Sequence, residues 1–216
     1  TINASGLIME SVKVFAPATV ANVGCGYDTI GFALDSVGEH IQVTKRDDSQ
    51  LVIQEIIGAD LSNDPQQNVA TIAIQAMLYD LGSKAGFDVS ITKNFKPGSG
   101  LGSSASSAAG AVFAANELLE KPYSRAELLQ FALEGEAFAS KCYHADNVAP
   151  SLLGGVQVIR SYDPLSLFEV KPNTELEIVI VFPDVEVKTA ESKGLLPKEI
   201  PVETARKQWA NTAALV

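Results

Sequence analysis

A chain of 216 residues, 46% of them hydrophobic, can bury one large core or two small ones. Its formal charge of −10, with no long basic run, argues against nucleic acid and anionic membranes as partners. No apolar run reaches the roughly 18 residues of a membrane span, and Cys25 and Cys142 match no metal spacing, as expected of two free thiols in a reducing cytoplasm.

No secretory leader is recognisable, and Met9 reads as a natural start, with the residues before it a leader or vector-derived. Ser11–Ala16 alternates apolar and polar and predicts a strand that Pro17 ends. Pro17–Asp28 is rich in small residues with two close glycines, the composition of a tight loop against a ligand or another backbone. Within it, Asn22 and Asp28 can make turn bonds or hold a polar ligand. His40–Lys45 and Gln50–Gln54 read as a hairpin, with His40 at a strand edge rather than as a ligand. Asn63-Asp64-Pro65 signals a helix start, and Asn68–Leu81 carries a broad apolar face that Gly82 closes.

The chain is organised around Lys96-Pro97-Gly98-Ser99-Gly100-Leu101-Gly102-Ser103-Ser104-Ala105-Ser106. It follows a predicted strand, Phe87–Lys93, and opens a helix from Ser104 to Glu120. A glycine-rich turn that opens a helix aims several N–H groups and the positive end of the helix dipole at one point, which suits phosphate. Two better-known phosphate loops fit less well. No lysine follows Gly102, as a Walker A loop requires, and the glycines do not follow the Gly-x-Gly-x-x-Gly of dinucleotide folds.

Ser124-Arg125-Ala126-Glu127 has the form of a capping box and starts a helix running to about Ser140. Glu134 and Glu136 point to different faces of it, and exposed glutamates on a helix are usually solvent decoration. In Tyr143–Gly155 a polar cluster, His144-Ala145-Asp146-Asn147, interrupts apolar sequence, as happens where function overrides folding convenience. Val156–Arg160 predicts a strand, Leu176–Phe182 a central one, and Glu203–Val216 the start of a helix.

Pro-Gly-Ser-Gly-Leu-Gly-Ser-Ser-Ala-Ser resembles the phosphate loop of the GHMP kinases. Pro-Ala-Thr-x-Ala-Asn-x-Gly-x-Gly-Tyr-Asp and His-x-Asp-Asn-Val-Ala-Pro, followed by Gly-Gly, narrow the resemblance to the homoserine kinases. The resemblance implies an α+β fold of GHMP kinase architecture. It consists of a ribosomal-protein-S5-like ATP-binding domain over residues 1–160 and a ferredoxin-like domain begun over 161–216, incomplete because the family runs longer. It implies ATP- and Mg²⁺-dependent phosphorylation of the hydroxyl of L-homoserine, a step toward threonine, in the cytoplasm. A homodimer is compatible with it.

By position, residues 96–106 would bind ATP, with Asn68 adding a nucleotide contact unless it caps a helix. Glu136 and a loop serine, Ser104 rather than Ser103, would hold Mg²⁺. Asn22, Asp28, His144, Asp146, Thr189 and Lys193 would bind the amino acid. Asn147 stands where the mevalonate branch carries a base, and an amide can align a hydroxyl without deprotonating it. Lys193 stands at a family arginine position and keeps the charge without the bidentate fork. The rival readings are another GHMP kinase, disfavoured by Asn147, and a nucleotide-binding module without catalysis.

Overall fold

A computed structural model describes residues 10–181, 197 and 199–215. Six strands and five helices follow one another along these residues. They are β1 (Ser11–Val23), β2 (Gly26–Arg46), β3 (Leu51–Ile57), α1 (Val69–Leu81), β4 (Gly86–Thr92), α2 (Ser103–Leu118), α3 (Leu128–Ser140), α4 (Ala145–Leu153), β5 (Val156–Tyr162), β6 (Leu165–Val170) and α5 (Val202–Leu215). All six strands join one mixed sheet, and the fold is α+β.

The long strand β2 organises that sheet. It pairs antiparallel with β1 along nearly its whole length, while β4 pairs with residues 40–46 and β5 with residues 30–32. β6 extends the sheet antiparallel to β5. Alternation buries Ile41 and Val43 of β2 with Phe87, Val89 and Ile91 of β4, so one face of the sheet is apolar. Helix α2 lies against β1 and β2 and touches α1, α3 and α4. Its run of alanines suits this crowded place, because small side chains let neighbouring helices and strands approach.

Three strand expectations change. Pro17 does not end β1, because the register shifts between Pro17 and Thr19 and the strand resumes to Val23. A bulge absorbs a proline that has no N–H to give the ladder. The expected loop over Pro17–Asp28 is therefore two strand ends joined by a tight turn at Gly24 and Cys25. β2 and β3 do not form a hairpin, because β4 lies between them and pairs parallel with β3. Residues 176–181 form no strand, and Leu176, Val179 and Val181 are exposed. An apolar run becomes a central strand only where neighbours cover it, and among the described residues none does.

Helices α1, α2 and α5 fall where expected. In α1 the Asn68 side chain caps the N-terminus and Gly82, in the left-handed region, ends the helix. The Ser124–Glu127 capping box forms, with the Ser124 amide donating to Glu127 (2.8 Å), one turn before α3 becomes regular. Helix α4 comes from the polar interruption itself, and the sequence reading assigned it no helix. Among the described residues no helix is long and apolar enough to cross a membrane.

Candidate active site

The turn after β4 is pinned to β1 by a bond from the Thr19 amide to the Leu101 carbonyl (3.0 Å). Gly98, Gly100 and Gly102 all take positive φ, which lets the chain double back before α2 begins. At Gly102 a Cβ would lie 2.1 Å from Thr19 Oγ1 and 2.8 Å from Asn147 Oδ1, so no side chain fits without displacing both. Gly102 is also the N-cap of α2 and offers no capping side chain, and the first turn holds no acidic residue. The amides of residues 103–105 therefore open outward at an uncancelled positive helix end, which is an anion cradle.

Glu136 is the carboxylate beside this cradle. It is 4% exposed, which overturns the solvent-decoration reading, while Glu134 does face solvent. The Ser104 hydroxyl donates to Glu136 Oε2 (2.6 Å), and His144 Nδ1 lies 3.0 Å from Glu136 Oε1. Thus α2, α3 and the N-cap of α4 each bring one polar group to the same point. Groups of three or more metal-ligating His, Cys, Asp or Glu do not occur among the described residues.

Asn147 sits in the first turn of α4, and its Oδ1 accepts from the Thr19 hydroxyl (2.9 Å). That bond fixes the amide against Gly102 and leaves its NH₂ as the group to offer a ligand. On the far side, Asn22 and Asp28 flank the β1–β2 turn with positive φ, and Asn22 Oδ1 accepts from the Asp28 amide (2.9 Å). The Tyr162 hydroxyl donates to the Asp28 carbonyl (3.3 Å). Burial, then the charges of Asp146 and Asp28, push the Tyr162 phenol up to about 12. Gly31 lets this wall close, because a Cβ there would lie 1.8 Å from the Asp146 carbonyl oxygen.

Between these elements lies a cleft of about 720 Å³, the size of a small-molecule site. Its walls include Gly98, Gly100, Gly102, Ser103 and Ser104 from the loop and Glu136, His144 and Asn147 from the helices. Asn22 and Asp28 close it from the strands. Three stretches far apart in sequence meet in one cavity.

Some expected residues lie elsewhere. Lys96 is exposed at the start of the loop, and the Ser106 hydroxyl turns inward to the Pro17 carbonyl (2.7 Å). Asp146 is buried behind the wall, beside Tyr162. Asn68 lines the cleft, but its Oδ1 accepts from the Ala70 amide (3.1 Å) and its Nδ2 donates to the Ser62 carbonyl (3.1 Å), which is the capping role. Thr189 and Lys193 lie outside the described residues. The sequence reading missed Thr19, Tyr162 and a buried ion pair between Glu39 and Lys93. Thr19 stood inside a quoted motif; the ion pair carried no periodic signal.

The family model for the GHMP kinases N terminal domain matches residues 68–155. The homoserine kinase of Chloroherpeton thalassium is 43% identical over 96% of this chain and 69% of its own length. That of Methanococcus maripaludis is 37% identical over the same shares. A crystal structure of homoserine kinase from Cytophaga hutchinsonii superposes with a TM-score of 0.89 at 41% identity, covering 97% of this chain and 67% of that one. Mevalonate kinase from Methanococcus jannaschii, at 18% identity and a TM-score of 0.59, shares the fold over 74% of this chain and 56% of its own.

Proposed function

The chain belongs to the homoserine kinases of the GHMP kinase superfamily, and we infer from this that it transfers a phosphoryl group from ATP to the hydroxyl of L-homoserine. The observation that carries the assignment to this cleft is the convergence of the loop amides, the Ser104–Glu136–His144 cluster and Asn147 on one cavity.

In this proposal the amides of residues 103–105 and the glycine turn hold the ATP phosphates. Glu136 and Ser104 would hold Mg²⁺, and the residues present fit it: one buried carboxylate oxygen pair and one hydroxyl leave room for phosphate oxygens and water, which Mg²⁺ prefers to a full protein cage. When bound, that ion supplies charge neutralisation at the transferred phosphoryl group.

Asn22 and Asp28 bind the amino acid from the strand wall and His144 from the helix side beside Glu136, while Asp146 supports the strand wall with Tyr162. A carboxylate and an amide side by side suit an ammonium and a hydroxyl. The Asn147 NH₂, aimed by Thr19, holds the attacking hydroxyl near the loop. Catalysis then comes from alignment and electrostatic preorganisation rather than from a strong protein base.

Replacing Asp28 tests this division of labour. Asp28→Ala should raise the KM for homoserine or abolish turnover while ATP binding survives. Loss of ATP binding with an unchanged homoserine KM would place Asp28 on the nucleotide side and contradict the arrangement.

A further inference from the structure

The floor of the cleft is built on charge. Lys93, just past the end of β4, and Glu39 of β2 form an ion pair at 2.5 Å with side chains 2% and 0% exposed. Two charges taken this far from water lose hydration that their attraction rarely returns in full, and apolar replacements often serve a fold as well. Stability alone therefore gives no reason for the pair.

Its other bonds do. Lys93 Nζ donates to Ser107 Oγ (2.6 Å), to Ser103 Oγ (2.8 Å) and to the Ser103 carbonyl (3.0 Å). The Ser107 hydroxyl in turn donates to Glu39 Oε1 (2.5 Å). Burial pushes the Glu39 carboxyl up and the Lys93 ammonium down, and the charge of each pulls the other back.

The two serines end up in different states. Ser107 accepts from Lys93 and donates its own hydrogen bond to Glu39. The Ser103 hydroxyl also accepts from Lys93, but it donates to no other described residue. Ser103 lines the cleft as the first residue of α2, immediately after Gly102. A hydroxyl oxygen that accepts from an ammonium becomes a better donor through its own hydrogen. That hydrogen is left for the cleft.

We propose that Lys93, paired with Glu39, is a positioning residue that makes the Ser103 hydroxyl a hydrogen-bond donor to the phosphates of ATP. Lys93 acts through Ser103 and through the first turn of α2, not on the substrate itself. The proposal rests on the phosphate-site reading above and deepens it.

The test is calorimetric binding of Mg-ATP, alongside thermal melting, for the unaltered chain and for Lys93→Met, Ser103→Ala, the double variant of these two, and Glu39→Leu with Lys93→Met. Lys93→Met and Ser103→Ala should each weaken ATP binding by about tenfold, the scale of one charge-assisted hydrogen bond. Their combination should be no weaker than Lys93→Met alone, because residues that act as one unit are not additive. Glu39→Leu with Lys93→Met should recover the melting temperature that Lys93→Met loses and still bind ATP weakly. Recovery of ATP affinity along with melting temperature would reduce the pair to a structural role, and additive losses at 93 and 103 would sever Lys93 from Ser103; either result overturns the proposal. Absence of ATP binding by the unaltered chain would instead overturn the phosphate-site reading, and this inference with it.

Discussion

Glu134 and Glu136 sit two residues apart on α3, yet one faces solvent and the other is 4% exposed against Ser104 and His144. Helical spacing told that they diverge; it could not tell which side faced a cleft. The position of Glu136 came instead from the resemblance, by its distance from His144. A buried carboxylate is costly unless its oxygens are hydrogen-bonded, and here a hydroxyl and an imidazole lie against them. Glu136→Gln keeps the shape and removes the charge. It should lower kcat by about a hundredfold, the scale of losing one preorganised electrostatic group, and raise the Mg²⁺ concentration needed for turnover. Unchanged kcat and Mg²⁺ dependence would remove Glu136 from the metal site. Thr19 and Lys93 were less legible than Glu136, for a physical reason. Their roles come from contacts 128 residues away, to Asn147, and across the sheet, to Glu39, and no local pattern encodes either.

The elements with strong local chemistry were read directly. Helix α1 has an Asn at its N-cap and a Gly at its C-cap, and both do what those residue types do at helix ends. The same chemistry resolves the two readings of Asn68. Asn68→Ala should lower stability by about 1 kcal/mol in urea melts, as loss of an N-cap does, and leave ATP affinity where it was. Weaker ATP binding at unchanged stability would make Asn68 a nucleotide contact instead. The misread elements needed distant partners. β3 looked like the second arm of a hairpin because sequence neighbours usually pair, but β4 takes that place beside β2. Pro17 looked like a strand end because only the sheet reveals a bulge at an edge strand. Helix α4 was hidden by its own polarity: its first turn carries Asp146 and Asn147, and Pro150 lies within it.

At the scale of the molecule, the sheet supplies a rigid frame and the site lies where its parts converge. β1 and β2 present the turn with Asn22 and Asp28, β4 leads into the glycine-rich loop, and the helices stacked on the sheet bring Glu136, His144 and Asn147. The α+β class and the glycine turn that opens α2 were legible because composition and motif carry them locally. The exposure of Leu176, Val179 and Val181 was not, because apolar sequence states a preference for burial and not the partner that provides it. In the proposed function the convergence of three distant motifs forms a kinase cleft for an amino-acid alcohol, and a direct assay tests it. ADP release would be followed with Mg-ATP and, separately, L-homoserine, mevalonate and galactose. Release with L-homoserine alone is the predicted result. Release with mevalonate or galactose instead, or none with homoserine from folded protein that binds ATP, would contradict it.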